Sequence, residues 1–370
     1  MFRIYTGVVH MFYDALKTFG KLFLIVTVVF TVAFYALSLV LGPALFFFTS
    51  EGLNFSMIYK ESLPGWILIL PVTVPIGLEL GTIFLGVSIV ITLSFITAWK
   101  LNKNFHQTIK NSVIQPTKNL FQNSLFGMTL VNSMTLIAVL FISRIQESSG
   151  IPTGTTPIVG EPFLDLLDLS YSAVVEEIGF RLIPIGGLLV ILLLLTKKTD
   201  SPFSFKQNIK LFFLSFLFPD KAKRLTGNKT VAEHGILAGI SLPEWGMIVF
   251  TTVIFGLAHY NPGVSWEIGK ISSATLSGFV LAITYLVYGI HAPLLMHWFF
   301  NSYNEAYYLL ADLYPSAMPL ANSVVLFSLT LGTLGWILLI ALGYLKLVRK
   351  NRENKTMQPD FNYSDSASIS

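Results

Sequence analysis

The 370-residue chain contains no cysteine. Disulfides, thiolate metal centres and cysteine nucleophiles are therefore excluded together. Charge is scarce as well. Only 12% of the residues are charged while 53% are hydrophobic, against about a quarter charged in an average soluble domain. A soluble globule of this length would need a charged shell that these residues cannot supply. An ordinary cytosolic enzyme, a disordered chain and a nucleic-acid binder are all excluded, and a mean hydropathy of +0.68 points to an all-α polytopic membrane protein.

The apolar runs give the spans. They are Leu22 to Phe48, Leu80 to Trp99, Leu125 to Ile142, Tyr171 to Leu195, Leu242 to Tyr260, Ile271 to Ile290, Ala292 to Leu310 and Met318 to Leu345. Each is near or above the ~20 residues needed to cross the hydrocarbon, so the sequence predicts about eight transmembrane helices. Sheets are not favoured, because an open edge cannot stand in lipid. Before the second run, an apolar stretch from Leu63 is broken by Pro64, Pro71 and Pro75. Leu211 to Phe218 is short and aromatic and reads as an interfacial segment on the inner leaflet. The first run is too long for a cleavable signal and lacks a small-residue cleavage site, so it reads as a span. Three parts follow: N-terminal helices and loops over 1–160, a core over 161–346, and a polar, disordered tail over 347–370.

Basic residues orient the bundle. Twenty of the 24 lie in residues 1–21, 100–124, 197–230 and the tail from Lys346, which share one side if eight spans alternate. The other side carries only Lys60, Arg144 and Lys270, beside Glu51, Glu61, Glu147, Glu161, Asp165 and Asp168. The positive-inside rule then places both termini in the cytoplasm; the absence of a cleavable signal is compatible with a plasma membrane or an ER-like one, and the plasma membrane is the expectation.

Ionisable residues inside apolar runs mark candidate sites, since each costs at least ~2.5–3.5 kcal/mol at the bilayer centre. The fourth run holds Glu176, Glu177 and Arg181, the fifth ends at Phe255 and His259, and the seventh holds His297 and Asn301. Glu79 and Glu244 sit at span ends, where water can reach them. Glu177 and Arg181 are four apart, on one helix face, in the favourable order for an ion pair. Glu176 lies about 100° round the helix and is left for another partner such as water, as a general base requires. The same residues also read as a structural network holding helices together. Each histidine alone reads as an interhelical hydrogen-bond donor, Asn301 as helix–helix glue, and Phe255 as packing. Together, two histidines, a free carboxylate and an amide supply what peptide hydrolysis needs: a base, an oxyanion donor and a proton for the leaving nitrogen. A proton-coupled secondary transporter would use ionisable residues too, but it should show broken helices in two related halves. No strong internal repeat is present, and the motifs cluster in the second half.

The order and spacing of Glu176-Glu177-x-x-x-Arg181, Phe255-x-x-x-His259 and His297-x-x-x-Asn301 resemble the CPBP intramembrane protease family, which includes the type II CAAX prenyl endopeptidases and the Abi bacteriocin-processing proteins. Trp266, Gly269, Lys270, Gly278, Tyr285 and Gly289 in the connecting piece look similar as well. The likeness covers Tyr171 to Tyr303. It implies eight helices around an intramembrane catalytic cavity, with Glu176 activating water, His259 assisting, His297 and Asn301 stabilising the oxyanion, and Glu177 and Arg181 in support. The cofactor stays open: Glu176, His259 and His297 would supply three ligands to Zn²⁺ and leave a fourth position for water, or the carboxylate acts without metal. The implied partners are membrane lipids and a membrane-associated peptide substrate, prenylated CAAX tails being one class, with no nucleic acid; the sequence leaves the oligomeric state open. A non-catalytic scaffold of the same fold would lack a motif residue, and none is missing. No HExxH, GxSG or GxGD occurs, which argues against site-2, rhomboid and presenilin-like proteases.

One expectation concerns depth. Ser241, Pro243 and Glu244 read as a helix start, which puts His259 near the outer end of its span, with Glu176 in the outer third of the fourth. His297 enters from the inner side. At 1.5 Å per residue the depths differ by roughly 15–20 Å, so either the sixth and seventh helices are displaced outward or the span limits shift by a turn or two.

Overall fold

The computed structural model describes residues 2–101, 103–155, 160–197, 203–263 and 265–356. Among these, six helices are long and apolar enough to cross a membrane: Lys17–Phe48, Leu80–Lys110, Ser124–Ser148, Pro162–Thr196, Lys270–Tyr288 and Pro315–Val348. A seventh span is reached only if Val231–Gly239 and Leu242–Ala258, bent by 69° at their junction, count as one. Phe30, Val40, Leu93, Phe141, Ile191, Phe250 and Ile340 are all exposed. Such a surface suits hydrocarbon and not water, and the protein is an integral multi-pass membrane protein.

The expected seventh span, Ala292 to Leu310, is divided. A helix over His291–Asn301 and another over Glu305–Leu313 replace it, 11 and 9 residues long, so neither crosses. Residues His291 through Phe299 are all buried, so this short helix is wrapped by protein on every side. The last helix runs through Thr356, beyond the expected start of the tail at 347; residues 357–370 lie outside the described residues.

The reason for the short helix lies beneath it. Gly289 adopts φ 104°, a conformation glycine takes without penalty, and turns the chain at the foot of Lys270–Tyr288. That turn sits on the amphipathic helix Phe205–Leu217. The Ile290 amide donates to the Leu217 carbonyl at 3.1 Å, and the Tyr285 hydroxyl donates to Phe216 O at 2.8 Å. A Cβ at Gly289 would overlap the backbone there. The segment expected on the inner leaflet thus presents Phe205, Phe212 and Phe213 outward while Leu211 and Ser215 are buried. It forms a floor that raises the His291–Asn301 helix into the bundle.

This floor is tied to the next helix. Glu244, expected at a wet span end, is instead 2% exposed. Its carboxylate accepts from the Ser241 amide at 2.7 Å, closing a capping box, and pairs with Lys223 Nζ at 2.6 Å. A buried carboxylate at a helix start needs such a cation, and the adjacent 69° bend supplies the room.

The proline-broken stretch is a β-hairpin, which the preference for helices in lipid did not anticipate. Tyr59–Lys60 pairs antiparallel with Leu78–Glu79, and further along Leu63–Ile67 pairs with Leu70–Val74. Pro64 faces Thr73 and Pro71 faces Trp66. Proline has no N–H to give a ladder, so these two pairs must be the ones whose polar groups point away from the partner strand. At the tip, Leu68 has φ 55°, which costs a non-glycine residue about 1–2 kcal/mol. Two contacts offset this: its amide donates to the Gly179 carbonyl at 3.3 Å, and its side chain packs on Phe180, Phe255 and Ala274.

Candidate functional site

Glutamates 176 and 177 end the α-helical helix Pro162–Glu177, and the chain then widens into a π-helical segment, Ile178–Gly186. Pro184 explains the widening. It has no N–H, and its ring would strike the carbonyl four residues back in an α-helix; the π register relieves both problems. Gly179 lies where the hairpin crosses, and a Cβ there would overlap the Trp66 carbonyl oxygen. Gly179→Ala is expected to push the hairpin off this helix and cost about 1–3 kcal/mol, as overpacking does, read as a lower thermal midpoint with the secondary structure retained.

Glu177 is wholly buried. Its Oε1 accepts from Arg181 Nη1 at 2.9 Å and from His297 Nδ1 at 2.7 Å. Arg181, 1% exposed, reaches the Gly278 carbonyl with Nη2 at 3.4 Å and lies with Cζ 4.2 Å from the Phe255 ring centre. A Cβ at Gly278 would crowd that ring. Phe255 is also 4.5 Å from the His259 ring and 5.9 Å from the His297 ring, centre to centre, so one aromatic ring packs against the arginine and both imidazoles.

Glu176 turns the other way. Its Oε2 stands 3.9 Å from His259 Nε2 and 3.7 Å from His297 Nε2 and has no hydrogen-bond partner among the described residues. His259 closes the helix Leu242–Ala258 and its Nδ1 lies 2.7 Å from the Phe255 carbonyl. A carbonyl only accepts, so that nitrogen carries the proton. On His297 the Nδ1 faces a carboxylate already paired with arginine and carries its proton for the same reason. Both Nε2 lone pairs therefore face the Glu176 carboxylate. Three acceptors meet with no hydrogen between them, and a water molecule with two protons to give answers that arrangement.

Asn301 is placed differently from an oxyanion donor. Its Nδ2 donates to Ser172 Oγ at 3.2 Å and to the Leu169 carbonyl at 3.4 Å. Both partners lie on the glutamate helix within two turns before Glu176, so in this arrangement Asn301 clamps the His297 helix against that helix. Trp298 Nε1 adds a bond to Ser170 Oγ at 3.2 Å.

The depth difference expected between His297 and Glu176 is absent, because the floor lifts the short helix. A narrow crevice bordered by Ser38, Gly42, Phe84, Ser170, Trp298 and Ala306 includes none of the motif residues. The Glu176 and His259 side chains each keep 20% exposure and His297 keeps 6%. At the mouth, the Thr153 and Pro152 carbonyls receive the Glu267 and Gly269 amides at 3.2 and 2.8 Å, and Lys270 Nζ sits 3.6 Å over the Trp266 ring.

The donor types suit zinc, and each imidazole has the outer Nδ1 partner that ligating histidines usually have. As they stand, however, no three such side chains among the described residues are grouped closely enough to hold a metal ion.

Two pieces of sequence gave no warning of their part in the site. The bond between Glu177 and His297 joins residues 120 apart; only their shared burial in apolar runs hinted at it. The hairpin's place against Gly179 left one faint trace, a glycine two residues after the acidic pair, with a proline-rich apolar stretch elsewhere in the chain.

A helical membrane protein with a carboxylate facing two imidazoles is thus the class defined. Residues 161–303 match the family model described as type II CAAX prenyl endopeptidase Rce1-like. The match contains all three motifs and agrees with the CPBP resemblance. It supports an intramembrane protease of the CAAX type in general terms. No curated protein and no solved structure matches the chain.

Proposed function

We propose that the protein is an endopeptidase that hydrolyses peptide bonds of membrane-associated or hydrophobic peptides, CAAX-type tails among them. The observation that carries this reading is the unbonded Glu176 Oε2, 3.7 and 3.9 Å from Nε2 atoms on two other helices. A water between them gives one proton to Glu176 while a histidine lone pair accepts its second hydrogen. The water oxygen attacks the scissile carbonyl carbon. His297, given a second proton by solvent before the attack, donates from Nε2 to the developing oxyanion and keeps that proton throughout, with Glu177 held by Arg181 as counter-charge; the lone pair that meets the water's second hydrogen is then that of His259. Glu176 then returns its proton to the leaving nitrogen, the C–N bond breaks, and a carboxylate and an amine result. Phe255, His259 and the hairpin tip limit water to the few molecules the step uses. We place both termini in the cytoplasm on the distribution of basic residues.

The test is to incubate the full chain, in lipid discs, with synthetic apolar peptides in water enriched in oxygen-18. Mass spectrometry should find two fragments, with one heavy oxygen in the new carboxylate. Intact peptides across a broad panel would overturn the hydrolytic reading.

A further inference from the structure

The hairpin has two edges, and only one is covered. Along Leu63–Ile67 the outward groups meet the glutamate helix: the Tyr171 hydroxyl donates to the Pro64 carbonyl at 2.6 Å, and the Trp66 carbonyl lies against Gly179. Along Leu70–Val74 every residue is exposed. The proline positions fix which groups point out from this strand: the Pro71 carbonyl and both the N–H and C=O of Thr73. Among the described residues none of the three makes a hydrogen bond beyond the hairpin. Leu70, Val72 and Val74 flank them with apolar side chains.

Unpaired backbone groups are costly to shield from water. An extended hydrophobic peptide has the same need. The strand also leads to the site: two residues before Leu70, the tip residue Leu68 packs on Phe180 and Phe255, and Phe255 touches both imidazoles. We propose that the free edge of Leu70–Val74 receives the substrate as an added antiparallel strand, which runs off the hairpin tip toward Glu176. This rests on the hydrolytic reading and names how its substrate is held. A peptide residue opposite Thr73 exchanges two hydrogen bonds with it, and the residue two further on donates to the Pro71 carbonyl; the residue between them points its N–H away. Specificity then lies in the extended shape and apolar side chains of the segment, since backbone groups carry the binding.

The experiment reads binding apart from cleavage. A photo-crosslinking residue replaces Val72 in the full chain carrying Glu176→Gln, in lipid discs, and the probe is a synthetic peptide rich in Val, Thr and Leu. N-methylation at alternate positions should reduce capture by about tenfold, and methylation at the intervening positions should leave it unchanged. Thr73→Pro, which removes the one outward donor, should reduce capture similarly, while Thr73→Val, which keeps the backbone, should not. Capture that ignores the methylation register, no capture, a Thr73→Pro protein that binds normally, or cross-links between two copies of the chain would each overturn the proposal. Register-dependent capture without any cleavage by the Glu176-bearing chain would leave the docking edge standing and refute hydrolysis.

Discussion

Glu177→Gln protein is expected to lose about 3–5 kcal/mol of stability, the cost of leaving a buried charge without its partner. Arg181 is 1% exposed and its other hydrogen bond goes to a neutral carbonyl at 3.4 Å, so among the described residues no second carboxylate bonds to it directly. The thermal midpoint in detergent should fall well below that of every other site variant. Arg181→Met alone should destabilise as well, because Glu177 would then face only His297. Combining the two changes should recover most of the loss, since a neutral pair of similar volume removes both buried charges at once. Activity should not return in the double variant, because His297 would still lack its counter-charge. A double variant as unstable as either single one would show that the two charges do not act as a pair.

Glu176→Gln should behave in the opposite way. The side chain is 20% exposed and its Oε2 has no hydrogen bond to lose among the described residues, so stability should stay within about 0.5 kcal/mol of the starting protein, read as a nearly unchanged thermal midpoint. Hydrolysis should fall by a factor of about 10²–10⁴, the usual contribution of a positioned base. An amide cannot take the proton from water, and it cannot hand one to the leaving nitrogen. Full turnover by Glu176→Gln would move the base elsewhere in the cluster. The contrast between the neighbouring glutamates is the sharper check, since one variant should unfold easily and the other should fold and stay silent.

Much of this was legible before any coordinates. Apolar runs located the crossing helices, and the four-residue interval predicted the pairing of Glu177 with Arg181. The 100° offset separated Glu176 from that pair, and its carboxylate does turn toward a different face. What hydropathy could not supply was the fate of Ala292 to Leu310. A run of apolar residues has the same composition whether lipid or protein surrounds it, and here protein does. Nor could it reveal the hairpin, because strands in an apolar setting carry no alternation, and the prolines were read as interruptions when they mark which edge groups point outward. Glu244 looked wet because it stood near a boundary; its cation, Lys223, sits 21 positions earlier in a loop whose fold was not predictable from charge alone.

The floor beneath Gly289 has a wider meaning for how such a site is assembled. His297 owes its position to a plank inserted beneath its short helix, whereas Glu176 and His259 are carried at the ends of the longer helices Pro162–Glu177 and Leu242–Ala258. The hydrolytic centre is therefore shelved from below, and its vertical alignment depends on a stretch rich in lysine and phenylalanine that contributes no reacting atom.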